Sequence, residues 1–290
     1  MQKKIFGRAA LCLSALFVLG DAVIILPLKD GAYYTLYTFL SASALGLILY
    51  FAVSFIYEKL ILSQKNNTFK KVIEKLILIA AAVFSLFTLA DTFSVFTKFV
   101  SDVILKNTPF DIINIVFLSV VLYFVFKRQE CILKFSFVFF VLVLILIIFF
   151  FLASITDYTP QNLSLKTSIN WDIFYKSAKS FIKTTVLSPI ILPLYYRFAL
   201  KEKHITAHLG VIIGYFLLGL AIISPLFLFG SELSAELSYP HFSAVSTITV
   251  GRLYTRLDGF LYLVYFITSI IKISVCSFVS YSCLKRIGGK

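Results

Sequence analysis

The sequence predicts an all-α integral membrane protein, on the strength of three observations. Hydrophobic residues make up 60% of the chain and charged residues only 14%. Soluble domains contain about 45–50% apolar and about 25% charged residues, so the excess of apolar side chains must face lipid. The mean hydropathy of +0.95 agrees with this. Finally, apolar runs long enough to span a bilayer alternate with short basic segments along the chain.

Eight apolar runs are candidate transmembrane helices, since a span needs roughly 20 residues at about 1.5 Å rise each. They cover residues 9–27, 33–57, 76–100, 110–126, 135–153, 183–198, 209–230 and 259–284. The start, MQKKIFGRAALCLSALFVLG, is similar to a signal peptide, but no A-x-A cleavage site follows and the apolar run continues to Pro27. We interpret it as the first span of a single polytopic domain over residues 1–290.

Lysine and arginine residues are distributed unevenly between the two sides that these spans define. A formal net charge of +13 could in principle indicate nucleic-acid binding. The charges lie instead in short connections between apolar runs, where they set membrane orientation. We therefore predict no nucleic-acid partner, contact with membrane lipid, and both termini on the cytoplasmic side.

The residues carry no signature of catalysis or of a cofactor. The four cysteines lie within or beside apolar runs and form no C-x-x-C pair, which is typical of reduced, packing cysteines. His204 and His208 have the spacing of a helical metal pair, but they lie in the basic connection after the sixth span. There is also no P-loop and no Ser/His/Asp set. We expect neither enzyme activity nor a bound metal or cofactor.

Three ionisable residues are predicted to lie within the membrane: Asp21, Asp91 and Lys272. Charges at that depth cost at least about 2.5–3.5 kcal/mol on insertion scales and normally face the bundle interior or a water-filled cavity. The favourable arrangement is a carboxylate cluster with a lysine counter-ion. Alternatively, each residue reaches the interface or a neighbouring backbone group without contacting a ligand.

The first and sixth spans each contain a helix-breaking sequence. Asp21 follows Gly20 halfway along the first span, and KTTVLSPIILPLYY places Pro189 and Pro193 in the sixth. Broken helices in corresponding halves of a membrane protein indicate a transporter-like binding site, whereas the alternative is an ordinary proline kink. We predict breaks near Gly20 and Ser188 that face one another. The candidate ligand-binding residues are Gly20, Asp21, Asp91, Thr185, Ser188, Pro189 and Lys272.

A lysine stripe precedes the sixth span. Lys176, Lys179 and Lys183 have the spacing of one helical face. The stripe is either a solvated face at the outer membrane surface or a cationic rim over an access path.

The segment from Tyr239 to Phe260 carries a family resemblance. It resembles the signature before the eighth helix of B subunits of spore germinant receptors (the GerAB/GerKB type), a branch of the amino acid–polyamine–organocation transporter superfamily. The matching residues are Tyr239, Pro240, Gly251, Arg256, Leu257 and Asp258, with Asp in place of the family's Glu. The stretch GDAVIILP at Gly20–Pro27 and the sequence Asn107-Thr108-Pro109 are also similar to family elements. Asp258 stands where it would cap the eighth helix.

The resemblance implies an inverted-repeat amino-acid-transporter-like fold. The family has two repeats of five helices, so this chain would supply the first repeat and a truncated second repeat of three, without the last two helices. In that fold the third and eighth helices are equivalent and flank the central site. Asp91 is therefore the expected partner of Lys272, with Asp21 as the competitor.

The function implied is that of a germinant-receptor membrane subunit in the spore inner membrane of a bacterium. It would sense a small nutrient, an amino acid, and help to trigger germination together with the A and C subunits. One alternative is a proton- or sodium-coupled secondary amino-acid transporter in the bacterial cytoplasmic membrane. A second alternative is a degenerate structural subunit without a ligand.

Overall fold

The computed structural model describes residues 2–26, 28, 32–62, 68–126, 129–156, 170–200, 205–248 and 258–288. Within these ranges the regular elements are all helical. The α-helices are α1 (Gln2–Leu19), α2 (Thr35–Leu62), α3 (Thr68–Phe99), α4 (Phe110–Phe126), α5 (Gln129–Thr156), α6 (Trp171–Phe181), α7 (Leu192–Leu200), α8 (Ile205–Glu236), α9 (Pro240–Thr247) and α10 (Asp258–Ile287). The predicted all-α class is therefore confirmed.

Short segments of other helical types interrupt or extend these helices. A π-helical turn, Val100–Ile104, follows α3, and a second one, Ile182–Val186, follows α6. Two 3₁₀ turns, Ala32–Tyr34 and Ser188–Ile191, precede α2 and α7. Such segments inside membrane helices are where regular backbone hydrogen bonding changes, so they mark candidate hinge or binding positions.

Five helices in the described part of the chain are long and apolar enough to cross a membrane: α2, α3, α5, α8 and α10. The apolar parts of α1 and α4 are shorter, at Gly7–Leu19 and Phe110–Phe126. Each predicted span overlaps one of the helices. The sixth, 183–198, covers most of the π-helical turn, the 3₁₀ turn and most of α7, whereas α6 precedes it. The total of eight spans stays a prediction.

Glycines allow α8 to pack closely against α1. A Cβ added to Gly210 would collide with the carbonyl oxygen of Leu11, and one added to Gly214 would lie 2.7 Å from Val18 Cβ and 2.9 Å from Ala15 O. The two glycines are four residues apart and lie on one helical face. This small-xxx-small pattern lets membrane helices gain van der Waals contact between backbones. The α1–α8 pair is accordingly one of the two main helix pairs of the fold.

The second main helix pair is α3 with α10. Around its end lies an aromatic cluster centred on the fully buried Phe99, whose ring lies 5.0–5.7 Å from the rings of Tyr239, Phe242 and Tyr265. Because Tyr239 and Phe242 belong to the connection before α10, this cluster fixes α9 to both helices. Tyr239 also donates a hydrogen bond of 2.8 Å to Asp102.

Helix α9 is part of the buried structure and not a purely surface segment. Pro240 and His241 are buried, and His241 Nδ1 lies 3.1 Å from the hydroxyl of Tyr265. Burial lowers the pKa of His241 to about 4. The helix ends at Thr247, and the predicted motif residues Gly251, Arg256 and Leu257, like Arg252, lie outside the described residues.

The start of α10 agrees with the predicted role of Asp258. Asp258 is the first residue of the helix, and its carboxylate accepts a hydrogen bond of 3.1 Å from the backbone N–H of Gly259. The hydroxyl of Tyr262, one turn further on, donates to the same carboxylate at 3.4 Å. A carboxylate here also suits the positive end of the helix dipole.

Candidate functional site at the two helix breaks

The first span breaks where the sequence predicts. Helix α1 ends at Leu19, and Gly20 has φ of +34°, a conformation that favours glycine. A turn follows, in which the N–H groups of Ile24 and Ile25 both donate to the carbonyl of Asp21. A Cβ on Gly20 would also collide with the side chain of Lys272. Glycine is therefore required here both for backbone conformation and for close approach of α10.

Helix α10 supplies the groups that stabilise this break. Lys272 forms an ion pair with Asp21, and both side chains are buried, at 1% and 7% exposure. The ammonium also lies 5.8 Å from the ring centroid of Phe17. Thr268, one turn earlier on α10, donates to the carbonyl of Gly20 at 3.0 Å. One face of α10 thus provides partners for both the backbone carbonyl of Gly20 and the carboxylate of Asp21.

The sixth span is broken over two short turns. The chain passes from α6 through the π-helical turn and the 3₁₀ turn Ser188–Ile191 before α7 begins. Thr185 donates to the carbonyl of Phe181 at 2.7 Å, and its own carbonyl accepts from Tyr215 at 3.3 Å. Pro189 lies in the 3₁₀ turn and is buried. The hydroxyl of Ser188 is buried and has no hydrogen-bond partner among the described residues.

The two breaks lie next to one another, as predicted. The 3₁₀ turn that carries Ser188 and Pro189 packs against both α1 and α3. Below it, the hydroxyl of Tyr196 on α7 lies 2.7 Å from Ser14 Oγ and donates to the carbonyl of Ala10 at 2.8 Å. Residues of the first and sixth spans therefore meet directly.

Asp91 is not the partner of Lys272, so that expectation was wrong. Its carboxyl on α3 is half-buried and makes no ion pair in the described part of the chain. The reason is the break at Gly20. Once the helix is interrupted, the backbone brings Asp21 directly against α10, and the ammonium pairs with that carboxylate.

A family model described as spore germination protein matches residues 11–288, which is nearly the whole chain. The chain belongs to the spore germination protein family. A search of curated proteins finds no match to it. The match confirms the resemblance predicted from the Tyr239 segment. It establishes, together with the apolar helices, a multi-pass membrane protein with a role in spore germination.

Sequence reasoning missed two contributors to the site of this spore germination protein. Thr268 lies four residues before Lys272, and Phe17 lies four residues before Asp21. Residues at that spacing share a helical face, so each could have been found by asking which side chains accompany an intramembrane charge. Both act on the break: Thr268 through the Gly20 carbonyl and Phe17 through the ammonium of Lys272.

The spore germination protein therefore carries two kinds of charge at this site. Asp21 and Lys272 neutralise one another in a closed, buried pair. Asp91 remains without an ionic partner in the described residues, and Ser188 remains without a hydrogen-bond partner. Unpaired polar groups at membrane depth are costly, which makes them functional candidates. The arrangement suits recognition of a small polar molecule by charge and hydrogen bonding.

Proposed function

We propose that this protein is the membrane subunit of a spore germinant receptor that senses a small nutrient, an amino acid, between its two helix breaks. Together with the A and C subunits it would contribute to triggering germination. The observation that carries the proposal is the adjacency of the Gly20 break and the Ser188 turn, with the buried Asp21–Lys272 pair beside the first of them. Paired broken helices at membrane depth are typical of sites for small ionic ligands, and the family supports the germination role.

A nutrient would act by changing the relative stability of two arrangements of the breaks. A ligand shifts such an equilibrium only by its difference in affinity for the two states. Here the Ser188 turn packs against α1 and α3. A molecule bound between these three elements would therefore stabilise one distance between them relative to another. Movement of the sixth span would then pass to the partner subunits.

Secondary transport of an amino acid, coupled to protons or sodium, is the second candidate function. The adjacent breaks in the first and sixth spans also favour transport, because broken helices in both halves occur in transporters that alternate between two access states. The two functions predict different behaviour in proteoliposomes. A transporter accumulates labelled amino acid against its gradient, whereas a receptor subunit binds it without net uptake.

Ligand-dependent thermal unfolding of the purified full chain in lipid nanodiscs tests the proposal. The probes are the twenty L-amino acids, with glucose and inosine as non-amino-acid compounds. A nutrient present at about 100 times its Kd should stabilise the protein by about 2.7 kcal/mol. Ser188→Ala should reduce this stabilisation, whereas the matched variant Ser119→Ala, at an exposed position on α4, should not.

The outcomes separate the candidates. A rise in melting temperature with an amino acid supports the proposal. A rise with inosine or glucose alone would show that the nutrient is not an amino acid. A rise with none of these compounds contradicts nutrient binding by this subunit and favours the structural role.

A further inference from the structure

Helix α6 carries a ridge of aromatic and basic side chains that the rest of the protein leaves exposed. Trp171, Tyr175 and Lys179 follow one another at four-residue spacing, so they lie along one side of the helix. Lys183 continues the series into the π-helical turn. All four residues are exposed, and the two aromatic residues are exposed by 70% and 71%. The nutrient site proposed above uses none of them.

Another side of α6 fixes the helix against α2. Ser177 Oγ lies 2.9 Å from Thr38 Oγ1, and the backbone N–H of Asn170 donates to the hydroxyl of Tyr34 at 3.0 Å. Apart from α2, the helix packs mainly against the turn Ala32–Tyr34 and the π-helical turn that follows it. The ridge is therefore left without a covering helix in the described part of the chain.

These contacts place α6 at one surface of the membrane. Helix α2 is long and apolar enough to cross a bilayer, and its candidate span begins at Thr35. Because Asn170 and Ser177 contact the turn before α2 and its first residues, α6 starts level with this end of the span and runs beside it. Trp171 and Tyr175 therefore lie at the membrane surface, which is the level at which tryptophan and tyrosine are enriched in membrane proteins.

The two lysines of the ridge lie deeper than the aromatic rings. Lys179 follows Trp171 by eight residues, which is about 12 Å further along the helix and towards the hydrocarbon layer. Helical side chains lean towards the N-terminus of their helix, and that end of α6 is at the membrane surface. We therefore expect both ammonium groups to extend back towards the aromatic pair. A lysine charge beside hydrocarbon is costly unless it reaches an anionic partner.

The chain supplies little negative charge near this ridge. Asp172 lies in the first turn of α6, four residues before Lys176, so these two exposed charges offset one another. Neither Lys179 nor Lys183 forms an ion pair with any residue that the structure describes. Two unpaired lysines below two exposed aromatic rings complement a negatively charged lipid head group.

We propose that the ridge formed by Trp171, Tyr175, Lys179 and Lys183 binds the head group of an anionic phospholipid. The phosphate lies between the two ammonium groups, and the aromatic rings flank it at the membrane surface. Because α6 continues without a loop into the two turns of the sixth span, the bound lipid would hold the break in position beside α2. The lysine stripe is then a lipid contact and not a rim over an access path. This site does not depend on the identity of the nutrient.

Trp171 is the only tryptophan of the chain, so its fluorescence reports on this ridge alone. The full-length protein is reconstituted in phosphatidylcholine nanodiscs that contain increasing fractions of a lipid brominated near the head group. This lipid is either phosphatidylglycerol or phosphatidylcholine. Each lysine near a membrane surface favours an anionic lipid by a factor of about five. Brominated phosphatidylglycerol should therefore reach half-maximal quenching at a mole fraction about 5- to 25-fold lower than brominated phosphatidylcholine.

Single variants assign this preference to the ridge. Lys179→Gln and Lys183→Gln should each reduce the preference for phosphatidylglycerol about fivefold, and the double variant should abolish it. Lys179→Arg keeps the charge and should retain the preference. Lys98→Gln is the matched control, since it removes the same charge from an exposed position at the end of α3, and it should leave the preference unchanged.

Three outcomes would overturn the proposal. Equal quenching by the two lipids in the wild-type protein would exclude a site for anionic lipid, and this comparison decides even if a variant fails to fold. An equal loss of preference in Lys98→Gln would show attraction to the total charge of the protein and not to the ridge. Strong quenching by aqueous iodide, with weak quenching by both brominated lipids, would show that the ridge faces water.

Discussion

Replacement of Lys272 by methionine should strongly destabilise the protein. The substitution preserves an unbranched side chain but leaves the carboxylate of Asp21 buried without its partner, in surroundings where that side chain is only 7% exposed. Breaking a buried ion pair from one side costs about 3–5 kcal/mol, mainly because the remaining charge stays desolvated. Loss of the contact between the ammonium and the ring of Phe17 acts in the same direction.

The appropriate control is a more exposed ion pair between α10 and α3. Arg286 near the end of α10 lies 2.7 Å from Glu74, with side-chain exposures of 42% and 25%. Surface pairs of this kind contribute up to about 1 kcal/mol. Arg286→Gln should therefore lower the free energy of unfolding by less than a third of the loss seen for Lys272→Met.

The assay is a double-mutant cycle measured by denaturant unfolding in mixed micelles. Asp21→Asn combined with Lys272→Met should recover most of the stability that Lys272→Met loses, because the second change removes the buried charge. The effects of Asp91→Asn and Lys272→Met on the free energy of unfolding should be additive in the double variant, since these two residues do not pair. The reasoning is refuted if the coupling energy appears with Asp91 instead of Asp21, or if Lys272→Met costs no more than Arg286→Gln.

Three further predictions follow from other parts of the structure. Gly210→Leu should separate α8 from α1 and lower the free energy of unfolding by several kcal/mol. Gly259→Ala should lower it by under about 1 kcal/mol, because a Cβ at Gly259 meets open space. Denaturant unfolding of the two variants measures this difference. His241 has a folded pKa of about 4 against an ordinary 6.5, so the folded state disfavours its protonation. The contribution of His241 to the free energy of unfolding should be constant above about pH 6.5 and should fall by up to roughly 3 kcal/mol as the pH drops to about 4. Unfolding measured as a function of pH should show this fall in the wild-type protein and not in His241→Gln. In a cysteine-free background, a membrane-impermeant reagent added outside cells should label Asn107→Cys and not Gly288→Cys; the reverse pattern would contradict cytoplasmic termini.

Sequence alone was sufficient for the positions of the two breaks. Gly20 precedes an acidic residue inside an apolar run, and Pro189 lacks the N–H that a continuous helix needs, so both breaks follow from local chemistry. The types of turn were not predictable in the same way. Whether the chain passes Thr185 in a π-helical or an α-helical turn depends on the helices packed around it, since neither residue type nor spacing specifies the choice.

The partner of Lys272 shows where reasoning from helix positions stops. Asp91 and Asp21 are both acidic residues at membrane depth, and the equivalence of the third and eighth helices favoured Asp91. That comparison treats each helix as a rigid cylinder. The break at Gly20 violates it, because a left-handed backbone conformation turns Asp21 towards α10. Predicting the pair required the local path of the chain, which sequence periodicity does not contain.

The same limit explains α9. Its sequence from Tyr239 onwards is amphipathic, which predicts an external re-entrant or surface helix but does not specify which residues are buried. The structure buries Pro240 and His241 because Tyr239 and Phe242 pack around Phe99 at the end of α3. The long-range aromatic contacts decide the burial, and they connect residues more than a hundred positions apart.

The buried Asp21–Lys272 pair has a physical consequence for a receptor. A pair such as Asp21 with Lys272 satisfies its own electrostatics, so it stabilises the break whether or not a nutrient is present. If the closed pair were opened to bind the nutrient, binding would have to compensate for a broken buried ion pair of about 3–5 kcal/mol. Recognition by groups outside this pair avoids that cost and leaves the whole interaction free energy available to shift the sixth span.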